Sequence, residues 1–229
     1  CSFFALKMTT KTVTPAASLP AYYEAIDGKS GKSLFDAVQK VTKTGYSSLG
    51  YDGLWAAYKY TDLYDNGYVW DMYSDCTWKS INSNHCGNYS DECDCYNREH
   101  SIPKSWYGGT TSGPGCDIFH LVPTDGKVNG IRSNYPFGEV GSADYNKHGN
   151  KRGSAKSITI TGGNTIAGNT GTTVSASGTV FEPRDEYKGD FARGYMGALL
   201  KWAGDKAFTE GEGSKTFTTN FSTGSFGLT

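Results

Sequence analysis

The chain has 229 residues, 37% of them apolar, and its 23 acidic and 22 Lys or Arg side chains leave a net charge of −1. A mean hydropathy of −0.52, with no apolar run near the roughly 20 residues that a spanning helix needs, excludes a membrane-spanning helix. Near-neutrality also excludes a protein that coats nucleic acid by bulk charge, so a polyanion has to be met by a local basic patch.

Residues 1–19 read as a tail. "CSFFAL" suits the end of a signal-peptide apolar region, and Cys1 suits a lipid-modified terminus; both imply export from a bacterium, to the medium or the cell envelope. "GKSLFDAVQKVTKTG" carries Leu34, Val38 and Val41 at helical spacing before Gly45, and "YDGLWAAYKYTD" predicts a second helix. Residues 63–98 are rich in turn formers and hold four of the six cysteines. That density suits an oxidising compartment and disulfides, whose pairing the sequence leaves open. "CDIFHLVPT" (116–124) predicts a buried strand, with Thr124 capping a helix that begins "DGKVNGIRSN". Residues 141–179, rich in Gly, Ser, Thr and Asn, predict a long surface excursion or hairpin. From Asp185 onward Phe191, Tyr195, Leu199 and Trp202 form one helical stripe. The end after Gly204 is polar.

Three short motifs fail on chemistry. "GKSGKS" (28–33) lacks the leading glycine of a phosphate-binding loop, since Ile26 and Tyr23 stand there. "DLYDNGYVWDMY" (62–73) puts Tyr64 and Tyr73 where a calcium loop needs oxygen ligands, so a tight turn is expected. "HCGNYSDECDC" (85–95) has C-x-C where zinc sites use wider spacing. A glycosidase would need a pair of flanking acids, and none stands out.

Glu99-His100 and the segment 117–140 carry more. Glu99 and Asn129 offer hard oxygen donors suited to Mg²⁺ or Ca²⁺. An imidazole beside such an ion is a natural general base. Arg132, three residues beyond Asn129 on one helix face, can clamp a phosphate. Adjacent strand residues point to opposite faces, so Glu99 and His100 can share a site only at a strand end or bulge, and Pro103 is compatible with an early end.

The segments "CYNREHSIPKSW", "DIFHLVPTDGKVNGIRSNYPFGEVG" and "GTVFEPRDEYKGDFARGYM" resemble, in order, the motifs of the bacterial endonuclease I family. These are secreted or periplasmic nucleases of the ββα-metal (His-Me finger) group. The resemblance covers about residues 20–203. It implies an α+β single domain at 20–204, with a ββα-metal core at 95–135 surrounded by helices. It further implies that His100 activates water and that Glu99 and Asn129 hold one divalent ion, Mg²⁺, for which Mn²⁺ or Ca²⁺ can substitute. Arg132 ("RSN") and Arg193 ("GDFAR") match arginine positions and are expected at phosphates. The implied reaction is hydrolysis of DNA, with RNA also admitted, to 5′-phosphate and 3′-hydroxyl ends by a monomer that reads backbone phosphates rather than sequence. Two departures are evident: His120 stands at a usual amide position and is expected to pack, and residues 205–229 lack the family's closing helix, as if truncated. The competing reading is a noncatalytic exported binding or adhesion module.

Overall fold

The computed structural model describes residues 21–78, 83–159 and 173–205, and the backbone of two paired strands, Phe217–Asn220 and Ser225–Leu228. Residues 1–19, expected as a tail, lie outside the described residues. The described chain mixes helices with small antiparallel sheets. A single turn, α1 (Ala21–Glu24), precedes α2 (Gly31–Lys43) and α3 (Gly50–Thr61), so both helices expected near the N-terminus form. Gln39 of α2 donates to Leu200 O at 3.1 Å and Ala203 O at 2.5 Å, docking α2 on the C-terminal end of the last helix.

Residues 62–78 carry no regular element. Gly67, at φ 81°, closes a turn in which Tyr64 N donates to Tyr68 O, so the calcium-like motif is a tight turn. A two-stranded antiparallel sheet follows, β1 (Tyr96–His100) with β2 (Leu121–Asp125), and then α4 (Gly126–Arg132). The helix starts one residue later than the sequence suggested. Asp125, not Thr124, caps it by accepting from Val128 N at 2.8 Å, while Thr124 stays buried in the strand. A carboxylate at this position also complements the helix dipole. The expected strand is shorter at its start, because residues 113–116 wind into a 3₁₀ turn and 118–120 form a second turn in which Leu121 N donates to Asp117 O.

The hairpin β3 (Val140–Lys147) and β4 (Asn150–Ala155) joins β7 (Thr179–Glu182) in a three-stranded sheet; β5 (Ile158–Thr159) and β6 (Thr173–Val174) pair briefly between them. Asn150 is fully buried and donates to Tyr73 O at 2.6 Å, tying this sheet to the segment before β1. The last described helix, α5 (Asp185–Trp202), buries Phe191, Tyr195 and Trp202, three of the four stripe residues.

Two apolar clusters meet at the β1–β2–α4 unit. Tyr96 and Leu121 join Leu54, Tyr58 and Trp78, while Val128 joins Ile102, Phe137, Phe181 and Phe191. Each such side chain, once buried, contributes about 1.5–3 kcal/mol, so the unit is fixed from both clusters. Disulfides Cys76–Cys93 and Cys86–Cys95 add covalent restraint, as the cysteine density led one to expect. The second lies against the first residue of α4: a Cβ on Gly126 would sit 2.3 Å from Cys86 Sγ. Cys116 is reduced and buried.

The β3–β4 turn is held by His148, whose Nδ1 lies 3.0 Å from Asp75 and Nε2 2.9 Å from Glu92. Partial burial pulls this imidazole down, but hydrogen bonds to Glu92 and Asp75 outweigh it and raise its pKa above the ordinary 6.5. Only the cation donates from both nitrogens. The stabilisation is therefore complete below the unfolded pKa and lost as pH rises through the raised folded value. We predict that His148→Asn, which tolerates the residue's φ of 52°, lowers the urea midpoint at pH 6 and leaves it unchanged at pH 9.

Candidate active site

Glu99 and His100 are the last two residues of β1, paired across the ladder with Val122 and Leu121. Their side chains still alternate, His100 toward Tyr51 and Glu99 toward Tyr73 and Arg132, and the cavity opens at the strand end where both can be reached. Both line one cavity of about 180 Å³ together with Asn129 and Arg132 from α4. Segments thirty positions apart thus converge on a single cleft.

Glu99 is 2% exposed. Its Oε1 accepts from Tyr73 Oη at 2.8 Å and from Arg132 Nη1 at 2.7 Å. Burial pushes its carboxyl above the ordinary value, against the pull of the Arg132 charge and the Tyr73 hydrogen bond. Arg132, 1% exposed, also donates to His100 O at 2.8 Å and Ser101 O at 2.5 Å. One guanidinium therefore grips the β1 end by a carboxylate and two successive carbonyls, with the Phe137 ring 4.7 Å away.

His100 Nε2 lies 3.2 Å from Gly115 O. A carbonyl only accepts, so Nε2 carries the hydrogen and Nδ1 keeps its lone pair. Burial, reinforced by His120, lowers its pKa to about 3, so the ring is neutral. Tyr51 of α3 stacks on it at 5.6 Å between centroids. The turn supplying Gly115 O is itself tight: a Cβ at Gly115 would meet Thr110 O at 1.9 Å. Asp117 then anchors the turn to α5 through Trp202 Nε1 at 2.6 Å and Lys201 Nζ at 3.1 Å.

The family described as Endonuclease I matches residues 30–202. The chain belongs to the endonuclease I family. It is similar to the "Extracellular ribonuclease" of Bacillus amyloliquefaciens, with 31% identity over 88% of this chain and 60% of that protein. It is also similar to the "Extracellular ribonuclease" of Bacillus subtilis (strain 168), with 31% identity over 86% and 58% respectively. The chain spans about three fifths of the length of these relatives. No solved structure matches it.

Within this endonuclease I family chain, Glu99 and Asn129 suit a hard divalent ion on two counts. Both bonds to Glu99 fall on Oε1, and no described hydrogen bond reaches Oε2. Half-buried Asn129 lines the same cavity, and its carboxamide has no described partner. Among the described residues there is no group of three or more His, Cys, Asp or Glu placed for a metal. The three cysteines at 85–95, whose spacing argued against zinc, are all joined in disulfides.

Arg193 is not brought to the cavity. It sits on α5, 69% exposed and ion-paired with Asp190 one turn earlier. His120 packs as expected, 1% exposed with Nε2 2.6 Å from Pro114 O. Sequence reasoning passed over Arg98, Lys104 and Tyr51, which share the cleft. The Arg98 guanidinium lies 3.5 Å from the Tyr51 centroid and 4.3 Å from that of Trp55. The signal was available: in "REH" the period of two puts Arg98 on the His100 side of the strand.

Removing one partner of a buried ion pair strands the other charge, at a cost of about 3–5 kcal/mol. Arg132→Met is expected to lower unfolding free energy by that amount, read from the urea midpoint at constant slope.

Proposed function

We propose that the chain is a metal-dependent endonuclease that hydrolyses phosphodiester bonds of nucleic acid with little sequence preference, on a ββα-metal core made of β1, β2 and α4. The observation that carries this reading is the convergence of Glu99, His100 and Asn129 on one cleft, in a chain of the endonuclease I family. His100 Nδ1, neutral and with its tautomer set by Gly115 O, takes a proton from the attacking water. Glu99 and Asn129 hold a divalent cation, Mg²⁺ by donor type, which when bound neutralises charge on the scissile phosphate and on the departing 3′ oxygen. In-line attack then leaves 5′-phosphate and 3′-hydroxyl ends.

Arg132 serves as a positioning residue, fixing the Glu99 carboxylate and the His100 backbone while its Nη atoms are occupied. Phosphate contact falls to Lys104 and to Arg98, which line the same cleft; Arg98 Nη1 is held by Tyr51 O at 2.7 Å and Asp52 at 3.0 Å, so its contact is through Nη2. Arg193, on the outer face of α5, contributes at most to a flanking phosphate. Few cations suffice, because backbone binding gains from counterion release at each contact. The relatives named as extracellular ribonucleases support RNA as a substrate beside DNA, and action outside the cell. The two disulfides support the same compartment.

The test is incubation of the disulfide-intact protein with supercoiled plasmid and with a labelled RNA in Mg²⁺. Cutting is expected, lost with EDTA and restored by excess Mg²⁺. His100→Ala is expected to cut about 10²–10⁴-fold more slowly with its urea midpoint little changed. Cutting that ignores the chelator, or a fully active His100→Ala, refutes the mechanism. Gly115→Ala forces the turn away from Thr110 O and should lower kcat more than it raises KM.

A further inference from the structure

A second cavity, of about 160 Å³, opens on the other side of Ser101, lined by Trp70, Met72, Phe119, His120 and Ser101, with Phe191 and Asp190 from α5. That is about half the volume at which pockets begin to take whole small molecules, roughly 300 Å³, so it suits one ring system. Its walls are apolar and aromatic, and Phe119 stands 71% exposed at it, with Lys201 Nζ 5.9 Å from its ring centroid.

Two of its residues carry unsatisfied polar atoms. His120 Nδ1 and Ser101 Oγ are both buried with no hydrogen-bond partner, in residues that are each 1% exposed. Buried groups of this kind are costly to leave unpaired and call for a ligand or water. Since Pro114 O occupies Nε2, the His120 ring offers Nδ1 as an acceptor only. Burial holds its pKa at about 4, which keeps that lone pair available. Asp190 also stands at the wall, with its Oδ1 engaged by Arg193. The cavity is next to the cleft: Ser101 follows His100, and the His100 and His120 rings are 6.4 Å apart between centroids.

We propose that this cavity is a nucleobase subsite, which takes one base of the strand whose phosphate lies at His100, stacked against Phe119 and hydrogen-bonded by His120 Nδ1 and Ser101 Oγ. The proposal rests on the nuclease reading above. An acceptor-rich pocket selects bases with an exocyclic amino group, namely adenine, cytosine and guanine, over uracil and thymine, which offer only a ring N–H. A single well-made hydrogen bond gives about tenfold preference. This is a local bias at one flanking position and is compatible with cutting at many sequences.

The probes are end-labelled single-stranded oligonucleotides with one cleavable linkage, differing only in the bases flanking it. In Mg²⁺, kcat/KM is expected to be about tenfold higher for amino-bearing bases on one side of the linkage. Ser101→Ala should narrow that ratio. Phe119→Ala, at an exposed position, should raise KM about fivefold or more. Equal rates for all bases on both sides, with Phe119→Ala unaltered, overturn the subsite and leave the nuclease reading intact. If the wild-type protein cuts nothing, binding of an uncleavable phosphorothioate oligonucleotide decides: an unchanged Kd in Phe119→Ala, or a crystal soaked with it that shows only ordered water at His120 Nδ1, also overturns the subsite.

Discussion

The buried pair of Glu99 and Arg132 is the interaction on which the rest of the site depends. Two charges removed from water are costly, and their attraction compensates only when the remaining donors and acceptors are also satisfied. Here the compensation is partial: Tyr73 completes Glu99 Oε1 and His100 O and Ser101 O take the two Nη atoms, while Arg132 Nε stays buried without a partner. The arrangement anchors the end of β1 to the end of α4, and that single join sets the spacing between the carboxylate and Asn129. It also explains why the strand can stop at His100 without fraying, since the backbone carbonyls that leave the ladder find the guanidinium.

Around this join, three separate supports act on His100. Tyr51 from α3 covers one face, Gly115 O fixes the tautomer, and the turn bearing Gly115 is tied to α5 by Asp117. In the proposed role of base, an imidazole whose free nitrogen is set by the fold needs no reorganisation when it accepts a proton. The same turn presents Pro114 O to His120, so two imidazoles are oriented by consecutive carbonyls of one 3₁₀ element. The α3 helix and the last described helix therefore matter to chemistry although neither belongs to the ββα unit.

Much of this was legible in the sequence, for identifiable reasons. The helices α2, α3 and α5 follow an apolar period that requires no tertiary information, and Glu99, His100 and Asn129 stand in motifs whose residue types fit one kind of chemistry. Strand alternation alone demanded a strand end or a bulge at Glu99-His100, and the structure has the end. What stayed hidden depends on distance in space. The role of Arg132 turns on burial: an arginine three residues from Asn129 looks like a phosphate clamp until the Glu99 carboxylate is found against it. The capping position moved from Thr124 to Asp125 because strand pairing with Asn97 and Tyr96 carries β2 one residue further. Arg98 was overlooked because its partners, Tyr51 and Trp55, are more than forty positions away.

The contact between Gly126 and the Cys86–Cys95 bridge has a consequence for how such chains can change. The sulfur occupies the space that any side chain at 126 would need, so three positions form one heritable unit. A lineage that abandons the bridge is released to explore other residues at the helix start, and one that first swaps the glycine evicts the sulfur. Drift at any of the three is therefore tethered to the other two.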